Sequence, residues 1–375
     1  MEFEIRIRTG QRKKPILGLL LLLIMGVSFS CKEENETGST TPAPQNNNVN
    51  WHVWAADISY LPAVEAANIV FYDRNGTPGD PLVILKNEGV NAIRLRLWKA
   101  PGNPNSSFPV VKQLSERIKS HGLQVWLTVH YSATWADPGS QLPPQQWQGI
   151  SFSDLKDSVY TYTAKIVTDI QPDFIQIGNE INDGFLWPQG RLSTNESQFI
   201  ELLETGIQAV RDHSDSAKTM VHYAGLSGAI EFFSKLTSVQ YDVMGISYYP
   251  WWHGKDLAEV ETGLQSLSNK FNRGLVVAET AYPFTLGWND WTNNIVGLEE
   301  HLILPEYPAS QQGQKNYLLK LNDIIKNVEG NGFCYWGATW VAFDGPQSET
   351  GSAWENCALF DFENKAVKAL DVFSE

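Results

Sequence analysis

Two glutamates stand out because each one ends an apolar run of the kind that forms a buried strand. Glu180 follows Phe174-Ile175-Gln176-Ile177-Gly178-Asn179, and Glu279 follows Leu275-Val276-Val277-Ala278. In parallel-sheet barrels the chemistry lies on the rim formed by the carboxyl ends of the strands. Two carboxyl groups on one rim are the arrangement that cleavage of a glycosidic bond requires.

The surroundings of the two glutamates predict different roles for them. Glu180 lies beside the amide of Asn179, and partial burial near a second anion would raise its pKa, as a general acid needs. Glu279 is the candidate nucleophile, which a cation should keep ionised. Arg94 is the candidate cation, since a buried arginine must be paired and a glutamate in the barrel mouth is the expected partner. The alternative is that both glutamates are ordinary loop carboxylates or ion-pair partners.

Polar and aromatic side chains at other strand ends complete the candidate site. Tyr248 ends strand six, and its hydroxyl could bind the nucleophile or simply pack at the rim. Trp336 ends strand eight, where an indole can stack on a sugar or belong to the core. His130 and Asp137 could contact sugar hydroxyls, although a histidine at a strand end is often structural. Further stacking candidates are Trp98, Trp135, Trp187, Trp251 and Trp252.

The pattern of apolar and amphipathic stretches predicts a single (β/α)8 barrel over residues 51–375. An open doubly wound sheet is the alternative, but no GxGxxG follows the first strand. Predicted strands are His52–Ile58, Ala92–Trp98, Gln124–His130, Phe174–Gly178, Thr219–Tyr223, Val243–Ser247, Leu275–Ala278 and Gly332–Trp336. Predicted helices are Val110–His121, Ser153–Gln171, Glu196–His213, Leu257–Phe271 and Gln311–Val328.

The composition excludes some classes of function. A net charge of −14 argues against nucleic-acid binding, which needs a basic face. The 14 tryptophans suggest stacking surfaces for sugars, although many must be core residues. Cys334 and Cys357 could form one bridge at most, and no cysteine or histidine cluster has the spacing of a zinc site. The sequence carries no evidence on oligomers, and we expect a monomer.

The first 50 residues predict export and anchoring. Residues 1–30 combine a basic start with a short apolar segment, Ile16 to Val27, which is typical of a secretory signal. Ser28-Phe29-Ser30-Cys31 resembles a bacterial lipobox with Cys31 as the lipidated residue, although cleavage of a plain signal is the alternative. Residues 31–50 are polar and form a flexible tether. Lys32-Glu33-Glu34 resembles the tag of lipoproteins at the surface of the outer membrane, so we expect an outer-membrane lipoprotein attached only by its lipid.

Taken together, the motifs resemble glycoside hydrolase family 53, the endo-β-1,4-galactanases of clan A. The resemblance runs from about Ala55 to Phe373. It rests on Ala56-Asp57-Ile58-Ser59, Arg94-Leu95-Arg96-Leu97-Trp98, His130-Tyr131-Ser132, Thr134-Trp135-Ala136-Asp137-Pro138-Gly139, Gly178-Asn179-Glu180-Ile181-Asn182, Leu186-Trp187-Pro188, Ser247-Tyr248-Tyr249-Pro250-Trp251-Trp252, Glu279-Thr280-Ala281-Tyr282-Pro283 and Ala358-Leu359-Phe360-Asp361-Phe362. It implies a retaining mechanism with Glu180 as acid/base and Glu279 as nucleophile. It also implies active-site positions for Arg94, His130, Asn179, Tyr248 and Trp336, with Asn179 on the sugar 2-hydroxyl.

The resemblance further implies a structural calcium site that links the loops after strands seven and eight. The matching oxygen-bearing residues are Asp290, Thr292, Asn294, Ser352 and Glu355. Trp288 stands where another carboxylate is expected, so the site could be altered, or could be a hydrogen-bonded clasp without metal. Ala133 replaces the family's usual aspartate, which puts a sugar contact near strand three in doubt.

The expected substrate is the β-1,4-galactan of pectin side chains, and the chemistry itself needs no cofactor. Two alternative functions are also compatible with the sequence. A mannanase or cellulase of the same clan would share the fold and both glutamates. A glycan-binding lipoprotein without catalysis would need stacking aromatics but no paired carboxylates.

Overall fold

A computed structural model describes residues 51–102 and 104–374, and its centre is a closed barrel of eight parallel strands. The predicted signal segment, the lipid attachment at Cys31 and the tether lie outside the described residues. The strands are β1 (Val53–Asp57), β2 (Ala92–Leu97), β3 (Gln124–Val129), β4 (Phe174–Ile177), β5 (Lys218–Ala224), β6 (Val243–Ser247), β7 (Gly274–Thr280) and β8 (Gly332–Tyr335). The predicted (β/α)8 barrel is therefore confirmed, and each strand lies within two residues of its expected ends.

Neighbouring strands pair in chain order, and the barrel closes where the first strand, β1, pairs with the last, β8. β1 pairs with β2 at Ala55 and Ala92, and with β8 at Ala55 and Cys334. One irregularity matters for the site: Ile246 on β6 pairs with Val277 on β7, whereas Ser247 pairs with Glu279. This bulge skips Ala278 and turns both Ala278 and Glu279 towards the barrel interior.

The period of two along each strand separates two cores. On β2, Ile93, Leu95 and Leu97 pack outward against the helices, whereas Ala92 belongs to an interior cluster. The interior cluster also contains Trp126, Phe174, Met220, Val243, Val276 and Cys334. Arg94 and Arg96 follow Ala92 on the inward face, above this apolar floor. Cys334 and Cys357 are both buried free thiols, so they do not form the bridge that the sequence left open.

Amphipathic helices cover the barrel. They are α1 (Leu61–Ala66), α2 (Pro81–Asn87), α3 (Phe108–Ser120), α4 (Phe152–Ile170), α5 (Glu196–His213), α6 (Ala229–Lys235), α7 (Pro250–His253), α8 (Leu257–Lys270) and α9 (Gln311–Asn327). The five predicted helices are all present. The other four have at most seven residues, too short to show a helical period in sequence. Within 51–102 and 104–374, no helix is long and apolar enough to cross a membrane.

Candidate active site

Glu279 is held by two side chains that favour its ionised form. The Nη2 of Arg94 donates to Oε1 of Glu279 at 2.7 Å, and the hydroxyl of Tyr249 donates to Oε2 at 3.0 Å. Burial raises the pKa of Tyr249 well above its usual value, so this hydroxyl keeps its proton and acts as a donor. Both oxygens of the carboxylate are therefore fixed in position before any substrate binds.

Arg94 connects Glu279 to the rest of the barrel interior. Its Nε donates to Gln176 at 3.0 Å, its Nη1 donates to Asp57 at 3.0 Å, and its Nη2 also reaches Asn179 at 3.1 Å. The side chain is completely buried, and the two carboxylates of Asp57 and Glu279 compensate its charge. Removing one partner from such a buried ion pair costs about 3–5 kcal/mol. This hydrogen-bond network therefore fixes the position of Glu279 in the folded barrel.

Glu180 lies on a tight turn after β4. Gly178 has φ +87°, and a Cβ there would lie 2.5 Å from Cγ2 of Ile181, so only glycine fits. Glu180 itself has φ +47°, an unusual backbone conformation for a glutamate. Gln141 braces this turn, since its Nε2 donates to the carbonyl oxygens of Asn179 at 2.8 Å and Glu180 at 3.3 Å.

A ring of hydrogen bonds orients the carboxyl group of Glu180. Its own backbone N–H donates to Nδ1 of His222 at 3.3 Å, so the proton of the imidazole is assigned to Nε2. Nε2 then donates to Oγ of Ser247 at 2.9 Å, and the Ser247 hydroxyl donates to Oε1 of Glu180 at 2.6 Å. Burial, with the nearby Arg94 charge, lowers the pKa of His222 well below its usual value, so the imidazole stays neutral.

The two glutamates face each other at short range. One carboxylate oxygen of each, together with a ring nitrogen of His222, lies within 4.8 Å of the other two atoms. Both nitrogens of His222 are already engaged by hydrogen bonds, so the trio is a hydrogen-bonded group and not a free ligand set for a metal. An approach of the two carboxylate oxygens to within 4.8 Å fits the separation of about 5–5.5 Å between the carboxyl groups of retaining glycosidases and is shorter than the roughly 6.5–9.5 Å of inverting ones.

The electrostatics distinguish the two carboxyl groups. Burial and the charge of Glu279 raise the pKa of Glu180, and the hydrogen bond from Ser247 opposes this rise only in part. Burial also raises the pKa of Glu279, but Arg94 and the Tyr249 hydroxyl lower it again. Two adjacent buried carboxylates cannot both ionise easily, so the pair keeps one proton and that proton resides on Glu180.

The prediction that the Tyr248 hydroxyl contacts the nucleophile is wrong. The hydroxyl of Tyr248 donates to the carbonyl oxygen of Gly254 at 2.8 Å, and the residue packs in the outer core. Val243 at the start of β6 belongs to the interior cluster, so every second residue after it also points into the barrel. Continued past the strand end, this alternation points Tyr249 inward, and its hydroxyl makes the bond expected of Tyr248.

Asn179 and His130 are both buried, and hydrogen bonds within the protein occupy some, but not all, of their polar atoms. Oδ1 of Asn179 accepts from Arg94 and from Thr128, and its Nδ2 donates to the carbonyl oxygen of Ala136 at 2.8 Å. One N–H of the amide is left for a ligand. Nδ1 of His130 accepts from the backbone N–H of Ala136 at 3.1 Å, which leaves its Nε2 as the donor. Burial and the Arg96 charge lower the pKa of His130 well below its usual value.

An aromatic wall runs from the nucleophile to the rim. Trp336 lies 5.5 Å from the guanidinium carbon of Arg94 and 6.0 Å from Trp135, whose ring is 5.4 Å from Trp98. Arg96 inserts among these rings, with its guanidinium carbon 4.0 Å from Trp135 and 4.5 Å from Trp98. Trp98, Trp135 and Trp336, three of the predicted stacking residues, therefore lie together where β2, β3 and β8 end.

Three predicted contact residues lie further out. Trp252 is half-exposed, and its ring is 5.2 Å from Tyr249, so it extends the site beyond the nucleophile. Asp137 is exposed, and its Oδ1 accepts from the backbone N–H groups of Gly139 and Ser140. Its charge still contributes to the raised pKa of Glu180. Trp251 is also exposed, with its ring 4.0 Å from His301.

The oxygen-bearing residues after β7 and β8 form a separate cluster. Along 290–296 buried and exposed residues alternate, so Asp290, Thr292 and Asn294 point inward. Oδ2 of Asp290, Oδ1 of Asn294 and Oε2 of Glu355 are buried oxygens that accept no hydrogen bond within the described residues. Burial and the charge of Asp290 raise the pKa of Glu355 to about 7. Such a set of unsatisfied oxygens fits a hard cation.

The hydroxyls of the remaining two predicted ligands already have partners. Oγ1 of Thr292 donates to the carbonyl oxygen of Ser348 at 3.2 Å and accepts from the N–H of Gly351 at 2.8 Å. Oγ of Ser352 donates to the carbonyl oxygen of Trp340 and accepts from the N–H of Trp354. Thr292 therefore links the two loops, whereas Ser352 braces the loop after β8 internally. Trp288 is half-exposed and does not enter the cluster.

Sequence reasoning missed the residues that hold the two glutamates. Tyr249, Ser247 and Asp57 all lay within quoted motifs, but their roles depend on which way each side chain points. Alternation along β6 could have identified Ser247 and Tyr249. Alternation along β5 equally places His222 inward, two residues after Met220, whereas Gln141 carries no comparable signal because it contacts Glu180 from a loop position.

Comparison with known proteins agrees with this geometry. The model of glycosyl hydrolase family 53 matches residues 53–373. An arabinogalactan endo-beta-1,4-galactanase of Cellvibrio japonicus is 32% identical, with 85% of this chain and 89% of that protein covered. The endo-beta-1,4-galactanase of Bacillus subtilis is 29% identical, with 85% and 84% covered. The solved catalytic domain of a GH53 protein from Ignisphaera aggregans has TM-score 0.81 and 35% identity, with 86% of this chain and 95% of that chain covered. The chain therefore belongs to glycosyl hydrolase family 53.

Proposed function

We propose that this protein is a retaining endo-β-1,4-galactanase in which Glu180 is the acid/base and Glu279 is the nucleophile. One observation carries the assignment of roles: two carboxyl groups lie within 4.8 Å, and only Glu279 is bonded to a buried arginine. The activities of the relatives named above support galactan as the substrate. The aromatic wall offers stacking surfaces to a sugar chain.

In the first step, an oxygen of Glu279 attacks the anomeric carbon and the glycosidic C–O bond breaks. The electron pair moves to the leaving oxygen, which takes the proton of Glu180. Arg94 and Tyr249 hold Glu279 ionised and aligned for this attack. The Ser247 hydroxyl, which donates to Oε1 of Glu180 at 2.6 Å, stabilises the negative charge that develops on this carboxylate. A glycosyl ester on Glu279 and a shortened galactan chain result.

In the second step, water enters where the leaving group was. Glu180, now a carboxylate, removes a proton from the water as its oxygen attacks the anomeric carbon. The ester bond to Glu279 breaks, and the carboxylate regains its bonds to Arg94 and Tyr249. Two inversions at one carbon retain the β configuration. Asn179 has one free N–H for the sugar 2-hydroxyl, whose hydrogen bonds strengthen in the transition state.

A product profile tests the substrate and the mode of cleavage together. The purified protein is incubated with linear β-1,4-galactan, β-mannan and cellulose, and early products are separated by chain length. We expect release from galactan only, with a broad range of oligosaccharides at low conversion. Release from mannan or cellulose instead would identify another activity of the clan, and release of a single short product from chain ends would exclude the endo mode.

We also propose that the loop cluster holds a structural calcium ion. Asp290, Asn294 and Glu355 supply the oxygens that accept no hydrogen bond among the described residues. Thr292 links the two loops around them, and Ser352 braces the loop after β8. The ion would offset the repulsion between Asp290 and Glu355 and stabilise both loops. Nothing in the two chemical steps is assigned to it.

Finally, we propose that the protein is a lipoprotein of the outer membrane, anchored through Cys31. The support is in the sequence: a basic start, an apolar segment and the lipobox-like Ser28-Phe29-Ser30-Cys31. The Cys31→Ala variant of the full chain should move from the membrane fraction to the soluble fraction. Protease treatment of intact cells should degrade the wild-type protein if it faces outward. Mass spectrometry of the purified wild-type protein should find a lipid on an amino-terminal Cys31, and an unmodified amino terminus would rule out lipidation at this residue.

A further inference from the structure

A second cavity lies on the rim beside the acid/base. It has a volume of about 370 Å³ and is formed by the loops that follow β3 and β4. Ligand cavities in proteins commonly measure about 300–1,000 Å³, so this one suits a small group such as one sugar ring. Its walls are mostly apolar and are formed by Leu142, Pro143, Trp147, Leu186, Trp187 and Pro188.

The polar groups of this cavity are few and well defined. The Nε2 of Gln189 donates to the carbonyl oxygen of Ile150 at 2.7 Å, whereas its Oε1 is buried and has no partner within the described residues. The indole N–H of Trp187 is bonded to the carbonyl oxygen of Asp183, and Arg191 lies 4.5 Å from its ring. Trp187 is therefore a fixed aromatic surface, and Gln189 is an acceptor that awaits a donor.

The chemistry of these walls matches a sugar. A pyranose ring has an apolar face that stacks on an indole and hydroxyl groups that donate to a carbonyl oxygen. An apolar ligand would leave Oε1 of Gln189 unsatisfied, and an anion would be repelled by that oxygen. A neutral sugar ring meets both requirements.

Gln141 links the wall of the cavity to the turn that carries Glu180 through hydrogen bonds. The side-chain Nε2 of Gln141 donates to the backbone carbonyl oxygens of Asn179 and Glu180, and the backbone carbonyl oxygen of Gln141 accepts from the backbone N–H of Trp187 at 2.8 Å. Leu142, the next residue, lines the cavity and is 56% exposed. The cavity is therefore built from the two loops that carry and brace the acid/base.

We propose that this cavity binds a galactose unit of the substrate chain on the leaving-group side of the cleaved bond. Glu180 gives its proton to the leaving oxygen, so the departing part of the chain lies against the loops that hold Glu180. The loops that flank Glu279 follow β6 to β8 instead. This proposal rests on the proposed galactanase activity and adds a binding site that extends the groove.

The experiment compares two exposed leucines with two substrates. Leu142→Ala alters the cavity, and Leu298→Ala is the matched control, because Leu298 is 54% exposed on a different rim loop. The substrates are linear β-1,4-galactan, which fills both sides of the groove, and a nitrophenyl β-1,4-galactobioside, which has no sugar on the leaving-group side. Both variants alter exposed positions, so both should fold.

We expect Leu142→Ala to lower the ratio of kcat/KM for galactan to kcat/KM for the galactobioside about three- to tenfold, mainly through KM. This is the effect of losing one or two methylene contacts. Leu298→Ala should leave the ratio unchanged. If Leu142→Ala also leaves it unchanged while the wild type cleaves galactan, the cavity is not a subsite and the galactanase assignment stands. If the wild type does not cleave galactan, the proposed function itself fails.

Discussion

The hydroxyl of Ser247 donates to Oε1 of Glu180 over 2.6 Å, and His222 fixes the direction of that bond by donating to Oγ of the same serine. The serine can therefore give its proton only to the carboxyl group. This donor stabilises the ionised form of Glu180 and opposes the rise in pKa caused by burial and by Glu279. It sets how readily the acid gives up its proton and later takes one back.

Ser247→Ala should shift the basic limb of the pH profile upward. Without the donor, the ionised form of Glu180 loses stabilisation, its pKa rises further, and the protonated acid persists to higher pH. We expect kcat/KM at the optimum to fall about tenfold, in line with a lost hydrogen bond to a charged group. Ser234→Ala is the control, because Ser234 bonds only to the carbonyl of Ile230 in its own helix. An unshifted basic limb would show that Ser247 does not act on the acid.

Tyr249→Phe and Tyr248→Phe should separate the two adjacent tyrosines. Tyr249 bonds the nucleophile, so its loss raises the pKa of Glu279, shifts the acid limb to higher pH and lowers kcat about 10- to 100-fold. Tyr248 bonds only the carbonyl of Gly254, so its loss should cost about 1–2 kcal/mol of folding stability with little change in kcat. Rate profiles over pH and thermal unfolding measure both effects. The reverse ranking would restore Tyr248 as the partner of Glu279.

Removing calcium should destabilise the protein more than it slows the chemistry. A ligand at about 100 times its dissociation constant stabilises the folded state by about 2.7 kcal/mol. The Tm of the wild type should therefore fall by several degrees with a chelator and recover with added calcium. Asp290→Asn should lose this response because it weakens the set of three free oxygens, whereas Asp344→Asn, an exposed position on the loop after β8, should keep it. A wild-type Tm that is the same with calcium and with chelator would show that the cluster is a clasp without metal.

The large features of the fold were predictable because they repeat along the chain. Apolar runs gave all eight strands, and Glu196–His213 was predicted with its observed ends. The two glutamates and Arg94 were predictable because strand ends and buried charges constrain chemistry strongly. Short helices such as α1 and α7 were not predicted, because a helix of one or two turns shows no period.

The side-chain partners within the site were harder to predict. The bulge between β6 and β7 turns both Ala278 and Glu279 inward, and no residue type in the sequence indicates such a bulge. Tyr248 and Tyr249 are the same residue type one position apart, so only the direction of the strand decides between them. His222 and Gln141 meet Glu180 across more than 35 residues of chain, a contact that only the closed barrel creates.

Covalent trapping tests the division of roles between Glu180 and Glu279 most directly. A 2-deoxy-2-fluoro galactobioside with a good leaving group forms the glycosyl ester but slows its hydrolysis, and peptide mass spectrometry then locates the label. We predict one label per protein molecule, on the peptide that contains Glu279, with none in Glu279→Ala. A label on Glu180, or full activity without any trapped ester, would contradict the mechanism.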